Sequence, residues 1–159
     1  IKKAVKKTVG RKKAAQLVAA AQDSIDGMGV VSLATCLGEL GNPLRFEDTR
    51  QMSRFAGYNL IEDSSGKNKS GTCISKRGRK NLRSVLYQIS LTMVATNQEM
   101  RKLYDYLKTR ENNPLKKMQA LVVVSKKVLT LIFTLSKKKV YYEGERVFGS
   151  YRKSQLQAA

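Results

Sequence analysis

A chain of 159 residues and 17.8 kDa can bury one hydrophobic core but not two large ones, and 42% hydrophobic against 27% charged residues places it among folding rather than disordered sequences. Lys and Arg number 31 against 12 Asp and Glu, a net charge of +19 that makes nucleic acid the default partner. There is no His, which excludes Ser/His/Asp and Cys/His nucleophile machinery and His-ligated zinc, and Cys36 and Cys73 are too few for a disulfide framework or a four-thiolate zinc site.

Ile1 to Gln22 is Ala-rich, lacks Pro, and carries seven basic side chains and no acidic one, which predicts a lysine-rich helix. The sequence opens inside that helix on Ile1 rather than Met. Residues 1–22 are therefore expected to end a connector from a preceding domain, with a helical domain over 23–139 and a basic, irregular C-terminal tail over 140–159. Ile25-Asp26-Gly27-Met28-Gly29 brackets an apolar residue with two glycines before the helical run Val30 to Leu40, which stops at Gly41-Asn42-Pro43. Helix, tight hairpin and second helix is the implied unit. In such a helix-hairpin-helix element Gly27 and Gly29 would turn backbone N–H groups toward a phosphate; equally, they could merely connect two helices.

Phe46 to Ala56 reads as another helix, and Gly57 to Gly78, rich in Ser, Gly, Asn and Lys, as a long loop. Charge turns over here: residues 23–63 carry three basic and seven acidic side chains, residues 64–90 seven basic and none acidic. Within the loop Ser65, Gly66, Lys67 and Lys69 suit a phosphate or, equally, a solvated linker. A Walker-type loop is excluded, because Thr72-Cys73 stands where Lys-Ser or Lys-Thr is required. The run from Ser75 to Arg83 enters a helix with Lys76, Arg77, Arg79, Lys80 and Arg83, a first turn suited to a phosphate backbone.

Beyond it Leu82, Val85, Leu86, Ile89 and Met93 fall on one helical face, and Gln98 to Arg110 continues as a helix with Met100, Leu103, Tyr104 and Leu107 inward. Asn112-Asn113-Pro114 breaks the chain, placing proline in the first turn of a run to about Leu135 that is apolar nearly all round, a central buried helix. Lys126 and Lys127 interrupt its longest apolar stretch, so no membrane span is expected. The tail has no defensible period apart from a strand-like Lys139 to Phe148. The expected fold class is all-α, a single domain of about five or six helices.

Taken together, Ser24-Ile25-Asp26-Gly27-Met28-Gly29, Leu37-Gly38-Glu39-Leu40-Gly41, Arg45-Phe46, Phe55-Ala56-Gly57, Ser65-Gly66 and Ile74-Ser75-Lys76-Arg77-Gly78 through Leu82-Arg83 and Leu86-Tyr87 carry a resemblance. From about residue 20 to 137 the chain resembles the C-terminal transposase domain of the insertion-sequence one-ten family, related to the Piv and MooV DNA invertases. The resemblance implies site-specific DNA recombination by a homo-oligomeric enzyme in the bacterial cytoplasm, associated with the nucleoid, with DNA as partner and, in mobile-element members, a structured bridge RNA as guide. It implies an N-terminal RuvC-like domain with an acidic tetrad binding a divalent metal (Mg), and a serine nucleophile in this helical domain. The family serine precedes a glycine, nine positions after the alanine of the Ala-Gly pair, which falls on Ser65 rather than Ser64. The acidic residues of this chain form no paired set, so no metal site is expected in it, and alone it should be catalytically incomplete. The alternative is a non-catalytic basic nucleic-acid-binding module or a regulator derived from a transposase.

Overall fold

The computed structural model describes residues 25–65, 68–138, 142–144, 147–149 and 154–155. The expected lysine-rich helix over 1–22, and with it the first half of the helix-hairpin-helix pair, lies outside the described residues. Those described form five α-helices, one 3₁₀ turn and a two-stranded antiparallel hairpin.

Helix α1, Val30–Leu40, buries Leu33, Cys36, Leu37 and Leu40, the stripe that a 3.6-residue period lays on one face. It stops where Gly41, at φ +76°, donates its N–H to Leu37 O at 2.9 Å. A 3₁₀ turn, Pro43–Arg45, follows, opened by Asn42 Oδ1 accepting from the Leu44 N–H at 3.0 Å. Helix α2, Thr49–Ala56, starts later than the sequence suggests. Asp48 Oδ1 caps it by accepting the Gln51 N–H at 2.7 Å, leaving Phe46 before the helix with its ring buried. Gly57 in the left-handed region, φ +80°, ends it.

The stretch read as a long loop is instead a hairpin, β1 Leu60–Ser65 and β2 Asn68–Ile74, with Leu60 opposite Ile74 at its base and Ser65 opposite Asn68 at its far end. β1 advances from Glu62 to Ser64 while β2 advances from Thr72 to Lys69, so β2 carries the extra residue of a bulge at Ser70-Gly71. The two strands pack on each other far more than on any helix.

Helix α3, Lys80–Thr96, buries Leu82, Leu86, Ile89, Ser90 and Met93; Asn97 then caps α4, Gln98–Thr109, which buries Met100, Leu103 and Leu107. Helix α5, Lys117–Lys138, begins three residues after Pro114, which therefore precedes the helix rather than entering its first turn. As expected it is the central element, packed against α3, α4, α2 and the 3₁₀ turn. By length and composition it could cross a membrane, but Ala120, Val124, Val128, Leu129 and Ile132 are instead buried in the core. The described residues of the tail are not strands. Val147 and Phe148 are buried, Lys127 Nζ donates to Val147 O, and Tyr142 hydrogen-bonds Asn97.

Two acids inside this core must stay protonated. Burial, and secondarily the charge of Glu39, pushes the Cys36 thiol from 9.0 to about 12. Burial likewise raises Tyr58 from 10.0 to about 12, against opposing contributions from a Ser125 hydrogen bond and Arg83. An unfolded chain releases these protons first, so their contribution to stability is complete below about pH 9 and is lost as pH rises toward 12. The urea midpoint should fall above about pH 9, and less steeply in Cys36→Ala; a wild-type midpoint flat over this range would contradict neutral burial.

Candidate nucleic-acid interface

The hairpin enters and leaves the helical body at one tight neck. Gly57 N–H bonds Arg54 O at 2.9 Å, closing α2; the returning chain then bonds the same turn through Ser75 N–H to Asn59 O at 2.6 Å, Lys76 N–H to Gly57 O at 3.2 Å and Arg79 N–H to Phe55 O at 3.2 Å. No room is left for a side chain at Gly78: a Cβ there would lie 2.5 Å from Gly57 N and 2.6 Å from Phe55 O. Lys76 takes φ +54°, an uncommon left-handed conformation for a side-chain-bearing residue, held by these bonds.

Side chains lock the neck from both sides. Arg83 reaches back from α3 and donates through Nη1 to Ala56 O at 3.0 Å, satisfying a carbonyl at the end of α2. Phe55 packs with Phe46 at a centroid distance of 5.4 Å and lies under two guanidinium groups, Arg45 at 4.7 Å and Arg79 at 5.2 Å. Arg45-Phe46, Phe55-Ala56-Gly57 and Ser75 through Arg83 are distant in sequence and meet here in one junction.

The residues expected to meet a phosphate are thereby sorted. Lys76, Arg77 and Lys80 are exposed around the neck and, among the described residues, pair with no carboxylate. Arg79 is exposed but shared, with Glu39 Oε2 at 3.7 Å and the Phe55 ring beneath it. Ser75 is half-buried and closes the hairpin base, and Arg83 is half-buried and committed to Ala56, so both hold the neck together. Gly27 presses its turn onto α3: a Cβ would lie 2.4 Å from Thr96 Oγ1 and 2.8 Å from Met93 Cα, and Gly27 O accepts from Thr92 Oγ1 at 2.7 Å. Close packing explains that glycine. Gly29 is exposed at the N-cap of α1 with open space around it.

Ser65 is the last residue of β1, and Lys69 pairs in β2 with Ser64. Gly66 and Lys67, which separate the paired Ser65 and Asn68, lie outside the described residues. The basic residues at the neck thus follow the root of the ribbon whose far end carries Ser65. Among the described residues no three Cys, Asp or Glu converge, so nothing described fits the ligand set of a metal ion. Phe55, Gly57 and Gly78 are structural partners that periodicity did not reveal; their signal is a glycine in each of two motifs twenty-one residues apart.

No curated protein matches the chain. Residues 19–105, more than half of the 159, match the model of the family described as the IS116/IS110/IS902 family of transposases, and the match covers the neck, the hairpin and the basic entry to α3. The chain belongs to the IS116/IS110/IS902 transposase family.

Proposed function

We propose that this domain is the DNA-handling and strand-attacking half of a site-specific recombinase. Membership of a transposase family brings DNA as the partner. In this reading Lys76, Arg77 and Lys80 take backbone phosphates at the neck while the hairpin brings Ser65 to a phosphodiester. Ser65 Oγ forms a bond to phosphorus and gives up its proton; the bond from phosphorus to the departing strand breaks, and that strand's oxygen gains a proton. The product is a phosphoserine link that holds the DNA. The observation that carries the reading is the neck, which couples Lys76, Arg77 and Lys80, exposed and with no carboxylate partner among the described residues, to the root of the strand ending in Ser65.

From the resemblance come the remaining parts of the same proposal: a structured guide RNA as a second polyanion, a homo-oligomeric working form, a divalent metal held by a separate acidic domain, and residence with DNA in the bacterial cytoplasm.

Binding of the 159-residue chain to a labelled DNA duplex tests the basic surface. If about 6 to 10 phosphates are engaged, raising salt from about 50 to 200 mM should weaken binding roughly a thousandfold or more. Changing Lys76, Arg77 and Lys80 together to Gln should lower the salt slope by about three, roughly one for each phosphate no longer neutralised. A slope unaffected by the triple substitution would remove these residues from the interface. Arg83 is left out of the set because its loss would open the neck.

A further inference from the structure

Beside the neck, on a face formed by α2, the first residues of the hairpin and α5, lies a cleft of about 430 Å³. Three cations line it on two elements: Arg50 and Arg54, one turn apart on α2, and Lys126 on α5. All three are exposed, and among the described residues no acidic side chain lines the cleft. Among the described residues none of the three pairs with a carboxylate. Like charges at i and i+4 repel along α2, and a third cation facing them adds to the repulsion. Such an arrangement is stable in the presence of an anion.

The cleft is larger than a simple anion needs. Asn59 adds an amide that can donate or accept, and Leu60, 68% exposed, supplies an apolar wall where β1 begins. The Thr130 hydroxyl is already donated to Lys126 O at 3.0 Å and that of Ser53 to Thr49 O at 2.8 Å, so the guanidinium, ammonium and amide groups and the Thr49 hydroxyl are the donors that face the cleft. Charge at one side, apolar surface at another and space of nucleotide size match a phosphate with its attached sugar.

We infer that this cleft is a second phosphate clamp, in which Arg50, Arg54 and Lys126 hold a backbone phosphate of a nucleic-acid strand with its sugar against Leu60. The clamp rests on the reading of the domain as a nucleic-acid binder, but its residues are separate from Lys76, Arg77 and Lys80. It grips the strand on the α2–α5 side of the hairpin root, so the strand is held at two places and cannot pivot about one.

The test uses the 159-residue chain with labelled duplex DNA and, separately, labelled single-stranded RNA, titrated at several salt concentrations. Arg54→Gln with Lys126→Gln should lower the salt slope by about two and weaken binding roughly fiftyfold at about 0.1 M salt, and Arg50→Gln alone should lower the slope by about one. All three side chains are exposed, so helical content should stay at the wild-type value, and circular dichroism checks this. A fall in slope with DNA, with RNA or with both supports the clamp and identifies the strand it takes. Unchanged slopes with both nucleic acids, in variants that remain helical, overturn it. If the wild-type chain itself shows no salt-dependent binding, the nucleic-acid reading of the domain is what has failed.

Discussion

Gly78→Ala lowers the stability of the chain by about 3 kcal/mol or more and its melting temperature by roughly 10 °C. The added methyl would sit 2.5 Å from Gly57 N, 2.6 Å from Phe55 O and 2.8 Å from Ala56 C, all of them backbone atoms where α2 ends. No rotamer change relieves such clashes. The two segments must part, stretching the bonds from Arg79 to Phe55 and from Lys76 to Gly57 and pulling Arg83 from the Ala56 carbonyl. Overpacking costs about 1–3 kcal/mol, and each weakened hydrogen bond adds about 0.5–1.5 kcal/mol. Gly149→Ala is the control, since nothing lies within 4 Å of a Cβ there, and it should be neutral within about 0.5 kcal/mol. Thermal and urea unfolding decide the matter, and a Gly78→Ala chain with wild-type midpoints would show the neck to be looser than described.

Ser65→Ala should abolish the covalent protein–DNA adduct in the complete recombinase supplied with its nucleic acids and Mg, while leaving DNA binding near normal. The proposed chemistry needs one Oγ to form the bond to phosphorus, and alanine has none. The backbone pairing of residue 65 with Asn68 does not depend on the hydroxyl, so the hairpin should persist. Ser64, one position out of the family register and paired with Lys69, should tolerate alanine with a milder effect. The measurement is recovery of labelled DNA with denatured protein. Adduct in Ser65→Ala would move the nucleophile elsewhere, and a wild-type enzyme that forms none would leave a basic binding module without chemistry. In the proposed reading the activating metal is held by a separate acidic domain, so the 159-residue chain supplied alone is expected to bind without cutting.

How far the sequence reveals this architecture depends on where its information lies. Helices α1, α3, α4 and α5 are legible because apolar residues recur at helical spacing, as in Leu33, Cys36, Leu37 and Leu40. The hairpin is not legible: Ser, Gly, Asn and Lys are weak strand formers, and its ladder is made by backbone groups that carry no residue signature. Only Leu60-Ile61 and Cys73-Ile74, paired at its base, hint at strands. Charge misleads in two directions. Arg83 reads as one more surface cation, yet it folds back onto Ala56. Arg50 and Arg54 are hidden in a segment with net negative charge, although their spacing of four already places them on one helix face. The tail shows no period because Val147 and Phe148 reach the core from irregular backbone.

Because the hairpin departs and returns through the single hydrogen-bonded junction at Gly57 and Lys76, its length is decoupled from the helical body. Adding or deleting two residues on each strand would move the far end by about 6.8 Å and keep Ser65 on the same face of the ribbon, without disturbing the packing of any helix. The present β1 spans about 17 Å from Leu60 to Ser65 at that rise. In the proposed reading the ribbon is a gauge, and relatives sharing this core could set a different distance between a phosphate held at the neck and one met by Ser65 by changing only the number of its rungs.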